Sequence, residues 1–270
     1  LLAIGDIDID GCGWDDSRHS GDTALIWAIH GCEFSRDAPL RTNIVSALLA
    51  AGADANAVNR GTIENHGTAL MAAARRGHVE IVNVLLASAG IDVNVSVEEE
   101  GTALMVAARE GEVEIVAALL AVEGIDATSV AGPTGATALI NGSHSAAIVE
   151  ALLALDGSNV NMATAVEHMP SGHCRGGTTA LMVAAEWGCA EAVDALLAVG
   201  GIDASATDGG GHTALVLAAR RGHATIVKAL LACGGVEAAL LARLGSLPEA
   251  IARLPAARAE GERLLTAAMG

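Results

Sequence analysis

Aromatic residues are nearly missing from this chain of 270 residues, which has one Phe, three Trp and no Tyr. A core built around bulky rings is therefore excluded, and Ala, Leu, Val and Ile must do the packing. Small Ala side chains allow helices to approach closely, which suits flat helix pairs laid side by side. Lysine is scarcer still. Of 15 basic residues only Lys228 is a lysine, against 32 acidic residues and a net charge of −17. Such a balance argues against nucleic acid as a partner, because phosphate binding needs a dense basic surface. It argues equally against anionic membranes, and the acidity favours solubility. The five cysteines are odd in number and irregular in spacing, so no disulfide framework is implied. A reducing, intracellular and cytoplasmic setting is the expectation. No apolar run reaches ~18 residues without a charge, turn or glycine, so no membrane span is expected.

What the chain has instead is repetition. Residues 67–86 read GTALMAAARRGHVEIVNVLL, residues 101–120 read GTALMVAAREGEVEIVAALL, and residues 213–231 read TALVLAARRGHATIVKALL. Self-similarity of this length at a fixed period means a solenoid, which can grow without a single central core. The Thr of each T-A-L falls at Thr23, Thr68, Thr102, Thr137, Thr179 and Thr213. The steps are 45, 34, 35, 42 and 34 residues, a basal period of 33–34 with insertions. Within a unit, Thr N-caps a first helix. Leu70, Ala73 and Ala74 lie at helical spacing on one face. Gly77 ends that helix, where a left-handed residue costs least. Arg75 and Arg76 favour its last turn through the helix dipole. A second helix begins near I-V and ends at L-L, with Ile81, Val82, Leu85 and Leu86 as its buried face. An extended G-[IA]-D-x-N segment leads to the next unit.

These residues resemble the ankyrin repeat, a β-turn plus two antiparallel helices with a period of 33. The resemblance covers the chain to about residue 237 and implies an all-α fold. The expected architecture is an α-solenoid of stacked helix-turn-helix repeats joined by β-hairpin-like loops. One departure recurs: the family pattern T-P-L-H becomes T-A-L-[MIV], as in Thr68-Ala69-Leu70-Met71, so any hydrogen bond from that His is lost. The array is expected over 1–237, with a half-repeat at 1–10 and repeats starting near 21, 66, 100, 135, 177 and 211. Residues 238–270 are expected to form a helical C-terminal cap, with short helices at 237–244, 248–254 and 256–268. Ser246-Leu247-Pro248-Glu249 reads as a capping box with Pro in the first turn. The opening LLAIGDIDID matches LLAVGGIDAS at 196–205 and so falls in mid-repeat. A piece of a longer chain is therefore expected.

Departures from the period point to function. From Asn94 to Thr102 is 8 residues, but Asp10 to Thr23 is 13, Asn56 to Thr68 is 12 and Asn161 to Thr179 is 18. These insertions, at 11–22, 57–66 and 162–177, lengthen hairpin tips. In the first repeat eight further residues separate the helices around Glu33–Arg41. The fourth repeat is short. Its first helix reads TALINGSHS, and Asn141-Gly142-Ser143 is poor helix material, so a stunted helix and a softer joint are expected there.

The resemblance further implies that partners are met by the concave face, at hairpin tips and first-helix ends. The latter positions are Arg75, Arg76, Arg109, Glu110, Glu186, Trp187, Arg220 and Arg221, and Trp and Arg are frequent binding hot spots. Two readings stay open: this stripe takes a partner segment with acidic and apolar groups, or the arginines only satisfy helix ends. The carboxylates at Asp6, Asp8, Asp10, Asp15, Asp16, Asp22 and Glu98-Glu99-Glu100 are read as solvated tips. Cys12, His19, His30 and Cys32, or His168, His173 and Cys174, lack the paired short spacing of structural zinc. No G-x-S-x-G, P-loop or H-E-x-x-H is present, so no catalysis and no cofactor is expected. Leu86-x5-Asp92-Val93-Asn94-Val95 resembles the ankyrin sequence hydroxylated on Asn, which makes Asn94 a possible modification site. The alternative is that Asn94 simply fixes the hairpin. The expected function is a monomeric scaffold binding a partner protein or peptide. The alternative is a targeting or regulatory module of a larger enzyme or membrane protein.

Overall fold

The structure, a computed structural model, describes residues 9–11, 22–30, 38–59, 67–98, 100–132, 134–155, 160–165 and 176–233. The chain divides into two compact units, Leu1–Gly132 and Pro133–Gly270. The first contains α1 (Ala24–His30), α2 (Ala38–Ala50), α3 (Ala69–Arg75), α4 (Val79–Leu86), α5 (Ala103–Glu110) and α6 (Val113–Leu120). The second contains α7 (Ala138–Asn141), α8 (Ala146–Leu153), α9 (Ala180–Trp187), α10 (Ala190–Leu197), α11 (Ala214–Arg221) and α12 (Ala224–Ala232). Among the described residues there are helices and isolated β-bridges but no strands, as an all-α fold requires. No helix among them is long and apolar enough to cross a membrane.

Each first helix starts where Thr can cap it. In all six repeats the Thr hydroxyl accepts the backbone N–H three residues on, at 3.3–3.4 Å. This satisfies one of the donors every helix start leaves open. At α3 the bond is reciprocal, because the Thr68 N–H donates to Met71 Sδ at 3.5 Å. A thioether thus serves at the position where the family pattern carries His. Four of the first helices run into a left-handed glycine, at Gly77, Gly111, Gly188 and Gly222, with φ between 67° and 83°. The fourth repeat breaks this rule. Gly142 has φ −88° and α7 is only four residues long, the stunted helix its composition implied. Ser143 Oγ donates to the Leu139 carbonyl at 2.5 Å, the local competition with helix that short hydroxyl side chains offer.

The helices form two layers in each unit. In the first, α1, α3 and α5 pack in series, as do α2, α4 and α6, and each first helix packs on its own second helix. The second unit repeats this with α7, α9 and α11 in one layer and α8, α10 and α12 in the other. Apolar spacing dictates the seam. Leu70, Ala73 and Ala74 of α3 are buried, and so are Ile81, Val82 and Leu85 of α4. Burying a Leu or Ile side chain contributes roughly 1.5–3 kcal/mol. Leu86, expected on the same face, is only half-buried. Second helices begin two residues before the I-V pair, at Val79 and Val113.

The insertion expected as a loop around Glu33–Arg41 is in part helix. Residues from Ala38 onward belong to α2, which reaches 13 residues where most of its counterparts have 8. Ala38, Leu40 and Arg41 are acceptable helix formers, and Pro39 in the first turn gives up only a donor that has no partner there. Two of the three hairpin insertions lie at antiparallel bridges, Asn59 with Gly67 and Ala163 with Thr179, against the tight Val97–Gly101 bridge of an uninterrupted repeat. The tips themselves, most of 1–10 and the expected cap at 238–270 lie outside the described residues.

Candidate functional site

The eight first-helix-end residues fall four to each unit. In unit 1 the ends of α3 and α5 present Arg75, Arg76, Arg109 and Glu110. Glu100, from the hairpin tip before Thr102, gathers two of them. Its Oε2 accepts from Arg109 Nη2 at 2.6 Å and lies 3.4 Å from Arg75 Nη2. Arg109 Nε also donates to Glu110 Oε1 at 3.2 Å. The Glu100 side chain is only 13% exposed, so it is no solvated tip, and the expectation is corrected there. Burial opposes the charge of Arg109, but its hydrogen bonds and attraction to Glu100, then Glu110, outweigh that and raise its pKa. At Arg76, partial burial and then the charges of Arg75 and Arg41 lower it, with Asp22 opposing. In this unit the arginines at Arg75 and Arg109 tie helix ends to a hairpin.

In unit 2 the ends of α9 and α11 present Glu186, Trp187, Arg220 and Arg221. Arg221 Nη2 donates to Glu186 Oε1 at 2.6 Å, which holds the two neighbouring helix ends together. Arg220 Nη1 lies 3.4 Å from His212 Nε2, and His212 Nδ1 lies 3.1 Å from both oxygens of Asp208. Arg220 is exposed, and Arg221 is 51% exposed at its side chain. Trp187 stands beside them 68% exposed, more than any other large hydrophobic residue described. An aromatic ring left this open in a chain with so few rings is the feature that the packing does not explain.

The asparagines of G-[IA]-D-x-N serve the stack. Asn94 Nδ2 donates to the Gly124 carbonyl at 2.8 Å, and its Oδ1 accepts the Asp126 N–H at 2.8 Å. Asn56 makes the same pair with Gly90 and Asp92, and Asn161 with Gly201 and Asp203. At these three positions one amide side chain joins a repeat to the next. Asn94, named from the sequence as a possible hydroxylation site or as a residue that fixes the hairpin, is engaged at both amide atoms. Thr128 and Ser205 replace Asn at the same position. Their hydroxyls bond back to Asp126 and Asp203 within their own turns. The Asp126 carboxyl is held below its ordinary value by hydrogen bonds from Ser129 and Thr128.

Two polar clusters were not foreseen. Asp22, read from the sequence as a solvated tip, is buried. It accepts from Asn59 and lies 2.9 Å from His30 Nδ1, and all three residues are buried. His30 thus has a partner other than a metal, and among the described residues no three His, Cys, Asp or Glu side chains gather as a metal set. Cys12, His19, Cys32, His168, His173 and Cys174 lie outside them. The second cluster joins Arg41 of α2 to His78, with Nη1 3.1 Å from Nε2.

Residues 36–131 and 136–240 match a family model described as ankyrin repeats (3 copies). No curated protein matches the chain.

Proposed function

The chain belongs to the ankyrin repeat family, whose repeats in general mediate protein–protein interaction, and from that premise we propose that it binds a partner protein or peptide through the α9–α11 turn edge. One observation carries this: Trp187 is 68% exposed beside two exposed arginines. An open Trp flanked by Arg is the composition of a binding hot spot. The chemistry suits a segment that lays an apolar or aromatic side chain on the indole and directs a carboxylate to Arg220. Arg221 is already engaged by Glu186 and acts as a rim charge, which influences association rate more than affinity. The family is typically non-enzymatic, and rigid display of this edge is the activity we assign.

The test is capture of partners from cell extract by the whole chain, alongside Trp187→Ala with Arg220→Glu. We expect capture to fall at least about tenfold with the melting temperature unchanged, since neither residue packs in the core. The same capture by wild type and double variant would end the proposal.

A further inference from the structure

The residue just before each of five second helices, from α4 to α12, opens the helix without capping it. These residues are His78, Glu112, Cys189 and His223, each after a left-handed glycine, and Ser145, and none makes a side-chain cap bond. Several of them reach back to the preceding repeat instead. Glu112 lies against Gly77 so closely that a Cβ there would meet its Oε1 at 2.6 Å. Cys189 Sγ donates to the His144 carbonyl at 2.9 Å. His223 Nε2 lies 3.1 Å from the Glu186 carbonyl. His78 Nε2 meets Arg41 Nη1.

The last two contacts are wired in opposite senses. A carbonyl only accepts, so His223 must carry its proton on Nε2. A guanidinium only donates, so His78 must leave Nε2 bare and carry its proton on Nδ1. A second proton on His223 goes to Nδ1 and leaves its bond intact. A second proton on His78 goes to Nε2, removes the acceptor and places two cations face to face. From this polarity we propose that His78 is an acid-released latch holding α2 of the first repeat to the start of α4, with His223 as its acid-tolerant counterpart.

The charges around His78 agree. Arg41 faces it from α2, Arg76 from the end of α3 and Glu80 from the first turn of α4, while Glu112 packs on the adjacent Gly77. Burial, then Arg41 and Arg76, lower its pKa from 6.5, and Glu80 opposes them. Because the folded value is the lower one, the latch contributes fully above 6.5. Its contribution declines as pH falls through 6.5 to the folded value and is gone below that. What it releases is α2, the extended helix that carries Leu40 and Ile44 on its exposed side.

Nitrogen–proton correlation spectra of the full chain near pH 7.5 read the tautomers directly. We expect Nδ1–H at His78 and Nε2–H at His223. Hydrogen exchange of α2 and α12 amides, corrected for intrinsic rates, is then compared between about pH 7.5 and about pH 5.5, and α2 should lose about threefold or more of its protection while α12 holds. His78→Gln keeps an acceptor that does not titrate, so its α2 protection should be flat over that range. An Nε2–H tautomer at His78, an α2 protection indifferent to pH, or an acid response surviving in His78→Gln would each overturn the proposal.

Discussion

The turn edges of the two units use the same residue types for different ends. In unit 1, Glu100 of the hairpin tip accepts Arg109 and approaches Arg75, so the arginines close the structure on itself. The position two residues before the N-cap Thr is glycine in the last repeat, at Gly211, and glycine supplies no counter-charge. There Arg221 takes its carboxylate partner one helix away, on Glu186, and Trp187 is left facing water. A stripe that reads as one feature in the sequence is therefore two. The placement of one carboxylate decides whether an arginine is structural or presented.

If the units differ only at their edges, equivalent core substitutions must cost the same. Leu119 of α6 and Leu196 of α10 are both 0% exposed. Leu119→Ala and Leu196→Ala should each lower the unfolding free energy by about 2–5 kcal/mol in urea denaturation. Leu120→Ala, at a half-buried site, should cost well under half of that. A large cost at Leu119 and a small one at Leu196 would mean the units differ in their interiors too.

The next contrast lies in the loops. Asn94 makes two bonds to the next repeat, while Thr128 bonds within its own turn. At roughly 0.5–1.5 kcal/mol per bond, Asn94→Ala should cost about 1–2 kcal/mol and Thr128→Ala much less. Equal costs would show that the amide bridge adds nothing to stacking.

The edges themselves follow. Glu100→Gln removes the shared charge of two arginines and should cost about 1 kcal/mol, diminishing with added salt. Glu186→Gln, at a more exposed pair, should stay within about 0.5 kcal/mol. The reverse order would undo the division into structural and presented arginines.

Much of this was legible in the sequence, for a physical reason. Caps, glycine turns and apolar spacing are local, so Thr68, Gly77 and Leu85 could be placed from their neighbours alone. The stunted α7 was equally local, since Asn141, Gly142 and Ser143 are all poor helix formers. Glu100 was misread because its partners lie 25 residues before it and 9 after, and only stacking brings them together. Asp22 failed the same way, its burial resting on Asn59 from the next repeat. Arg41 was lost in an insertion taken for loop, and no periodicity announces that a loop will join the helix that follows it. Trp187 was found by its place at a first-helix end, and its exposure required the structure.

The smallest expected effect tests whether a hydroxyl that forgoes the inter-repeat bridge gains something locally. Asp126 accepts from Thr128 and Ser129 through both side-chain and backbone donors. Those bonds favour the charged carboxylate, so its pKa lies below the ordinary 3.8. The lowered value sets the sign. The turn is stabilised above 3.8, and the stabilisation is lost as pH falls through the folded value. A carboxyl-carbon titration of the full chain should place the Asp126 midpoint below 3.8. Thr128→Ala with Ser129→Ala should move it back up, leaving only the backbone donors. A midpoint that ignores both hydroxyls would mean that the turn is set by its backbone, and that Thr at this position is no more than an Asn without its bridge.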